Sequence, residues 1–312
     1  MKVLVAGATG ALGKELVPQL VAAGHDVTGM TRSARAIDGL RALGAGAVVA
    51  DALDAAAVRE AVEKAEPEVI VHQLTALKGE LRPKRFDEDF AMTNRLRTEG
   101  TGHLLAAAKA AGVRRMVAQS FAGWNLARTG GPVKTEDEPL DQHPARSQTE
   151  TLKAIEYVER TVAGDPEIEG LALRYAGFYG PGSQLGRGGI LVEQIKARKI
   201  PIVGNGAGIW SFVHFTDAAS ATVRAVETGE PGIYHIADDE PAATTVWLPE
   251  LARILGAKPP RRVPAWLGRL VAGEAAVGMF TQARGADNTK AKRELGWTLR
   301  YPTWREGFRE GL

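Results

Sequence analysis

The sequence predicts an α/β fold: a doubly wound parallel sheet with a smaller C-terminal lobe beside it. Three observations point there. Through the first half, short runs that are apolar on successive residues alternate with stretches of helical period. Unbroken apolarity marks strands covered on both faces, as in a parallel sheet. A glycine-rich turn joins the first such run to the first helical stretch, while the second half is less regular and carries four of the six tryptophans (Trp247, Trp266, Trp297 and Trp304).

The strand-like runs are Val3–Ala6, Val27–Met30, Ala47–Ala50, Val69–His72 and Met116–Ala118. Between them, helical spacing covers Lys14–Ala23, Ala36–Leu43, Ala55–Lys64 and one long stretch from Phe86 to Ala111. Asp54 stands where an N-cap belongs, and Gly24, Gly44 and Gly112 stand where helices end in a left-handed residue. Such a β-α-β-α order forces right-handed crossovers. Further on, a helix around Ser147–Val162 leads to the strand Leu171–Leu173 and to the glycine- and proline-rich loop Gly177–Gly189. Strand-like pieces Ile200–Val203, Phe212–Phe215 and Ile233–Ile236 follow, with helices near Ile190–Ala197, Thr216–Glu227 and Trp247–Leu255.

Composition narrows the function classes. Apolar residues at 45% and charged residues at 24% belong to a globular chain and exclude a largely disordered one. A net charge of +2 gives no electrostatic case for nucleic acid or an anionic membrane as partner. Without cysteine there are no disulfides, thiolate metal sites or cysteine nucleophiles, and no metal is expected. No apolar run reaches the roughly 18 residues of a membrane-spanning helix. Met1-Lys2 leads directly into the first strand, so no signal peptide is read there and a cytoplasmic enzyme is expected.

The turn is Gly7-Ala8-Thr9-Gly10-Ala11-Leu12-Gly13. Its first glycine makes the bend, the second lets the backbone approach a pyrophosphate, and the third lets helix and strand pack closely. The helix start then offers free N–H groups and a partial positive charge to the anion. A Rossmann-type dinucleotide site follows, with Gly7, Thr9, Gly10, Ala11, Leu12 and Gly13 around the phosphates. An acid at the end of the second strand would select NAD. This chain instead has Thr31-Arg32-Ser33, with Arg35 behind. A guanidinium and hydroxyls suit the 2′-phosphate of NADP; the alternatives are NAD, or an Arg32 that meets only solvent. Asp51 either accepts from the adenine amino group or caps the turn leading to Asp54, while Ala52 and Leu74 would line the cofactor. Residues 1–170 then form the dinucleotide-binding domain, rejoined by segments near 205–236, and 171–312 form mainly the substrate-binding lobe.

Several further stretches keep this order and spacing: Asp51-Ala52-Leu53-Asp54, Val69-Ile70-Val71-His72 and Gly100-Thr101-Gly102-His103-Leu104-Leu105-Ala106-Ala107-Ala108. Later come Leu173-Arg174-Tyr175, Tyr179-Gly180-Pro181-Gly182, Phe212-Val213-His214, Thr216-Asp217-Ala218-Ala219 and Glu294-Leu295-Gly296-Trp297. With the glycine turn, they resemble the extended short-chain dehydrogenase/reductase family, in its epimerase/dehydratase-like branch, over nearly the whole chain. The resemblance implies a Tyr-x-x-x-Lys pair on the helix after the fifth strand and a Ser or Thr at that strand's end. The tyrosine exchanges a proton with the substrate oxygen. The lysine binds the nicotinamide ribose and lowers the phenol's pKa.

Here the resemblance breaks. Lys153 aligns with that lysine, but Thr149 stands at the tyrosine position, and Phe121 takes the place of the serine, with Ser120 beside it. Arg97 replaces a family asparagine, Asn94 lying one turn earlier. Trp210 replaces the arginine that grips the diphosphate in sugar-nucleotide enzymes. Lys153 either donates the proton, directly or through Thr149 or water, or only binds the ribose. Tyr175 and Tyr179 are stand-in phenols or structural residues, and Tyr175 is also expected among the cofactor contacts. Ser120 would hold the substrate oxygen or the carboxamide. His72 and His214 read as structural. Thr75, Phe121, Trp124, Tyr179 and Trp210 would line an apolar pocket for a small carbonyl or alcohol metabolite, although core packing is the expectation for Trp266, Trp297 and Trp304.

The leading expectation is therefore an NADP-dependent oxidoreductase with an unusual proton donor. An epimerase or dehydratase that retains its cofactor is the second reading, and a non-catalytic dinucleotide-binding redox sensor the third. The resemblance also implies a homodimer through the helices at 86–111 and 147–162.

Overall fold

The unbroken apolar runs become the strands of one parallel sheet in the computed structural model, which describes residues 1–77 and 79–312. In chain order the strands are β1 (Lys2–Ala6), β2 (Asp26–Thr31), β3 (Gly46–Val49), β4 (Val69–His72), β5 (Arg115–Phe121), β6 (Glu169–Tyr175) and β7 (Gly232–Ile236). They lie side by side as β7-β6-β5-β4-β1-β2-β3, and every pairing is parallel. Val3, Leu4, Val5 and Ala6 of β1 are at most 1% exposed, because both faces of the sheet are covered.

The helices are α1 (Ala11–Ala22), α2 (Ile37–Ala42), α3 (Ala55–Ala65), α4 (Phe86–Arg95), α5 (Thr101–Ala110), α6 (Thr149–Ala163), α7 (Ile190–Lys196), α8 (Phe215–Glu227), α9 (Thr244–Ile254), α10 (Ala265–Thr281), α11 (Thr289–Leu295) and α12 (Trp304–Glu310). On one face, the side chains of α1 and α8 join Val3, Val5, Val71 and Val117 in a single core. On the other, α3 and α5 close over Leu4, Ile70 and Met116. Asp54 caps α3, accepting from the amides of Ala56 at 3.0 Å and Ala57 at 3.1 Å. Gly24, Gly44 and Gly112 all take positive φ at helix ends.

The long helix expected over 86–111 is interrupted: α4 and α5 are joined by a π-turn at Leu96–Gly100. Phe215–Ile236, which makes α8 and β7, returns to the sheet after an excursion into the smaller lobe. That lobe is held by Tyr179, Phe212, Trp247, Trp304 and Phe308. Trp297 and Trp304 are core residues as expected, but Trp266 is 67% exposed, because it lies on the outer side of α10.

Candidate functional site

The strand order reverses between β1 and β4, and an open parallel sheet binds ligands in the crevice at such a reversal. Here the loops after those two strands touch. Gly7 takes a φ of +96°, and a Cβ on it would lie 2.6 Å from the Gln73 carbonyl oxygen. A Cβ on Gly13 would lie 2.5 Å from the carbonyl oxygens of Gly7 and Ala8, so strand and helix meet backbone to backbone. Gly10 differs: its amide donates to the Gly7 carbonyl at 2.9 Å, and a Cβ there would meet only that oxygen, at 3.2 Å. Thr9, Gly10 and Ala11 are exposed while Leu12 and Gly13 are buried beneath them. No side chain caps α1, and its first turn carries no acid. Free amides and a helix dipole therefore face a concave backbone, which fits the paired phosphates of a dinucleotide.

At the end of β2, Thr31 is buried and its hydroxyl accepts from the Ser33 amide at 3.3 Å. Arg32 and Ser33 are exposed at the rim. Asp51 accepts from the Leu53 amide at 3.0 Å and so caps its own turn. Ala52 is buried, and its carbonyl accepts from His103 Nδ1 at 2.9 Å. Leu74 is half-buried, donating its amide to His72 Nδ1 at 3.2 Å. Burial together with the neighbouring Arg97 holds His72 neutral, down at about 4.

The proposed proton donors are placed elsewhere. Lys153 is 64% exposed on the outer side of α6, with Nζ 2.8 Å from Glu150 Oε1. That partner raises its pKa, the opposite of what a neutral-pH acid needs. Thr149 begins the helix, half-buried, on the same outward stripe. The inward face instead carries Gln148, Thr151, Leu152, Ile155 and Glu159. Thr151 Oγ1 donates to Asp87 Oδ1 at 2.7 Å and accepts from Asn94 Nδ2 at 3.0 Å, so its hydroxyl is fully engaged. This face offers neither a phenol nor an ammonium. The sequence held the signal: Leu152, Ile155, Val158 and Val162 form one apolar stripe, and Lys153 falls off it.

Ser120 is also redirected. Its hydroxyl donates to Glu159 Oε1 at 2.5 Å, and Glu159 is gripped by Arg174 through bonds of 2.7 and 2.8 Å. The Tyr175 phenol is fully buried, 2.6 Å from Thr222 Oγ1, and accepts from Gln73 Nε2 at 3.0 Å. Burial pushes its pKa up, so it is a core residue and no acid near neutrality. Tyr179, expected to line the pocket, lies in the smaller lobe's core against His214 and Phe308, and burial pushes it up too.

Aromatic rings gather at the end of β5. Phe121 is half-buried and 6.4 Å from Trp124 between ring centres. Trp124 meets Phe86 edge-on at 5.2 Å, and Phe86 stacks on Phe90 at 4.4 Å. The two phenylalanines, which the sequence did not single out, are buried in the core beside that strand end. Thr75 is exposed on the loop after β4. Trp210 is half-buried, 5.0 Å from Trp247, and its Nε1 donates to the Met279 carbonyl at 3.0 Å. Among the described residues, the side-chain atoms buried without a partner include Gln73 Oε1, Asn125 Oδ1, Gln148 Nε2 and Arg97 Nη1. Buried polar atoms are normally paired, so each of these four calls for a partner.

A model of the NAD-dependent epimerase/dehydratase family matches residues 3–237. The chain is 48% identical over 310 residues to a 3-diazoavenalumate denitrifying reductase of a Streptomyces species, covering 99% of each protein. It is 28% identical to the UDP-glucose 4-epimerase of Mycolicibacterium smegmatis, over 95% of this chain and 93% of that one. The solved UDP-glucose 4-epimerase of Thermotoga maritima, bound to UDP-glucose, shares the fold with a TM-score of 0.74 at 21% identity, over 99% of this chain and 96% of that one. With its parallel sheet, its glycine cradle and these relatives, the chain belongs to the NAD-dependent epimerase/dehydratase family of enzymes.

Proposed function

We propose that the protein is an NADPH-dependent reductase acting on a small aromatic diazo carboxylate, with no protein side chain donating a proton. One observation carries this reading: the inward face of α6 offers only Gln148, Thr151, Leu152 and Ile155 beside the buried Glu159. A ketone or a sugar hydroxyl needs an acid or base at its oxygen. An arenediazonium does not: it takes up one hydride and leaves as arene plus dinitrogen, which balances atoms and charge. The reductase that is 48% identical carries a diazo carboxylate in its name. When bound, reduced nicotinamide supplies the hydride. The chain's own part is to hold the phosphates at Gly7–Gly13, to place the substrate ring beside Phe121 and Trp124, and to keep water away with the aromatic wall.

The test offers NADPH-loaded protein a 4-carboxybenzenediazonium salt alongside ketones and aldehydes. Consumption of NADPH with release of dinitrogen, and deuterium on the arene carbon when deuterated cofactor is used, supports the reading. Turnover of carbonyl compounds alone sinks it. Cofactor binding with no turnover would point to a redox sensor, and interconversion without net oxidation to an epimerase.

Exposed Arg32 and Ser33 support the choice of NADP. Arg32→Ala is expected to weaken NADPH by about 1.5–3 kcal/mol, the worth of a charge-assisted bond, and to leave NADH nearly unchanged. Fluorescence titration of both cofactors checks it, and equal losses would remove the argument. Lys153→Ala, by contrast, is expected to hold kcat and NADPH affinity within twofold of the parent in steady-state assays, since its ammonium faces solvent.

The shallow outer groove between α4 and α6, which includes Ala91, Arg95, Thr98, Lys153 and Tyr157, is where we place a homodimer contact. No helix among the described residues is long and apolar enough to cross a membrane. A location in the cytoplasm, where reduced cofactor is available, completes the reading.

A further inference from the structure

We infer that Arg97 is the docking point for a carboxylate of the substrate, a guanidinium that the fold buries and leaves without an acid of its own. This rests on the reading that the cleft takes a small aromatic acid, and it adds where that acid's charge is held.

Arg97 is 6% exposed, yet among the described residues its guanidinium makes no hydrogen bond and no ion pair, and Nη1 is fully enclosed without a partner. Buried charges are almost always paired, because removing them from water is costly unless hydrogen bonds replace the lost hydration. The acid that acts on Arg97 electrostatically is Glu159, but both its oxygens are already bonded to Arg174, and Ser120 donates to one of them. One carboxylate therefore faces two buried guanidiniums, and a positive charge is left over. Burial brings Arg97 down to about 10, so it stays protonated at neutral pH. His72, held neutral by burial and by Arg97 itself, adds no competing charge.

Position agrees with charge. Arg97 lies in the π-turn Leu96–Gly100, and single π-turns inside helices are frequent at functional sites. One turn before it, Asn94 bonds to Thr151 on the inward face of α6. The π-turn packs against α6, and the guanidinium there feels the charge of Glu159 on that helix. The guanidinium carbon is 5.8 Å from the Phe90 ring centre. From Phe90 the aromatic wall continues through Phe86 to Trp124 at the end of β5. An aromatic acid can lay its ring near Trp124 and Phe121 and reach back with its carboxylate.

Cinnamate and cinnamamide, which differ in the charged group and undergo no hydride transfer, test this by calorimetry on NADP-loaded protein. The parent is expected to bind cinnamate at least tenfold more tightly than cinnamamide. Arg97→Gln should erase that preference and keep NADPH affinity within threefold. Because a site residue carries its unpaired charge at the expense of stability, unliganded Arg97→Met should melt no lower than the parent. A parent that binds cinnamate no better than cinnamamide, or not at all, overturns the inference. So does an Arg97→Gln protein that loses NADPH in parallel, or an Arg97→Met protein that melts well below the parent. Reduction of an arenediazonium that lacks a carboxylate is read separately: if it persists while the carboxylate preference is absent, only the role of Arg97 falls.

Discussion

Gly10→Val protein is expected to fold as the parent does and to bind NADPH about 5- to 150-fold more weakly, which corresponds to about 1–3 kcal/mol for forcing atoms into occupied space. The selectivity follows from the geometry of the turn. A Cβ at Gly10 touches only the Gly7 carbonyl oxygen, at 3.2 Å, so the protein itself has room for it. The rest of the side chain would project from the start of α1 into the concavity proposed above for the cofactor phosphates. Gly13→Ala should behave differently, losing stability and cofactor together, because its methyl would sit 2.5 Å from two backbone oxygens. Fluorescence titration paired with thermal melting separates the two outcomes. A Gly10→Val protein that binds NADPH like the parent would mean the phosphates lie elsewhere, and the functional reading would go with them.

Glu159→Ala is expected to cost about 3–5 kcal/mol of folding stability, the loss seen when one partner of a buried ion pair is removed. Its carboxylate is 6% exposed and Arg174 4% exposed, so neither can recover its hydration from solvent. The substitution would leave Arg174 and Arg97 as two enclosed cations and Ser120 without its acceptor. Urea unfolding followed by circular dichroism provides the measurement. A loss below about 1 kcal/mol, the scale of an exposed pair, would show that water reaches the pair. Through the same carboxylate, Ser120 ties β5 to α6.

The parallel sheet and the glycine turn that follows its first strand were legible in the chain because both depend on short-range patterns. Unbroken apolar runs such as Val3–Ala6 can only be strands covered on two faces. Asp54 caps its helix through amides two and three residues away, and Gly7, Gly10 and Gly13 act on backbone within one turn. Choosing the face of a helix is a different problem. Four-residue spacing correctly sets Thr149 and Lys153 in one line, but spacing alone cannot say which line meets the sheet. The stripe Leu152, Ile155, Val158 and Val162 answers that question and turns Lys153 outward. Tyr175 and Tyr179 follow a strand that ends near the crevice, yet their rings point into two separate cores, a consequence of packing against Thr222, Gln73 and Phe308. Arg97 depends on tertiary structure most of all. Its burial follows from a π-turn that has no sequence signature, and its lack of an acid follows from Arg174, far along the chain, having already taken Glu159. Local backbone chemistry thus set the fold and the glycine turn, whereas the side chains proposed to face a substrate are placed by long-range packing and by competition for a single buried carboxylate.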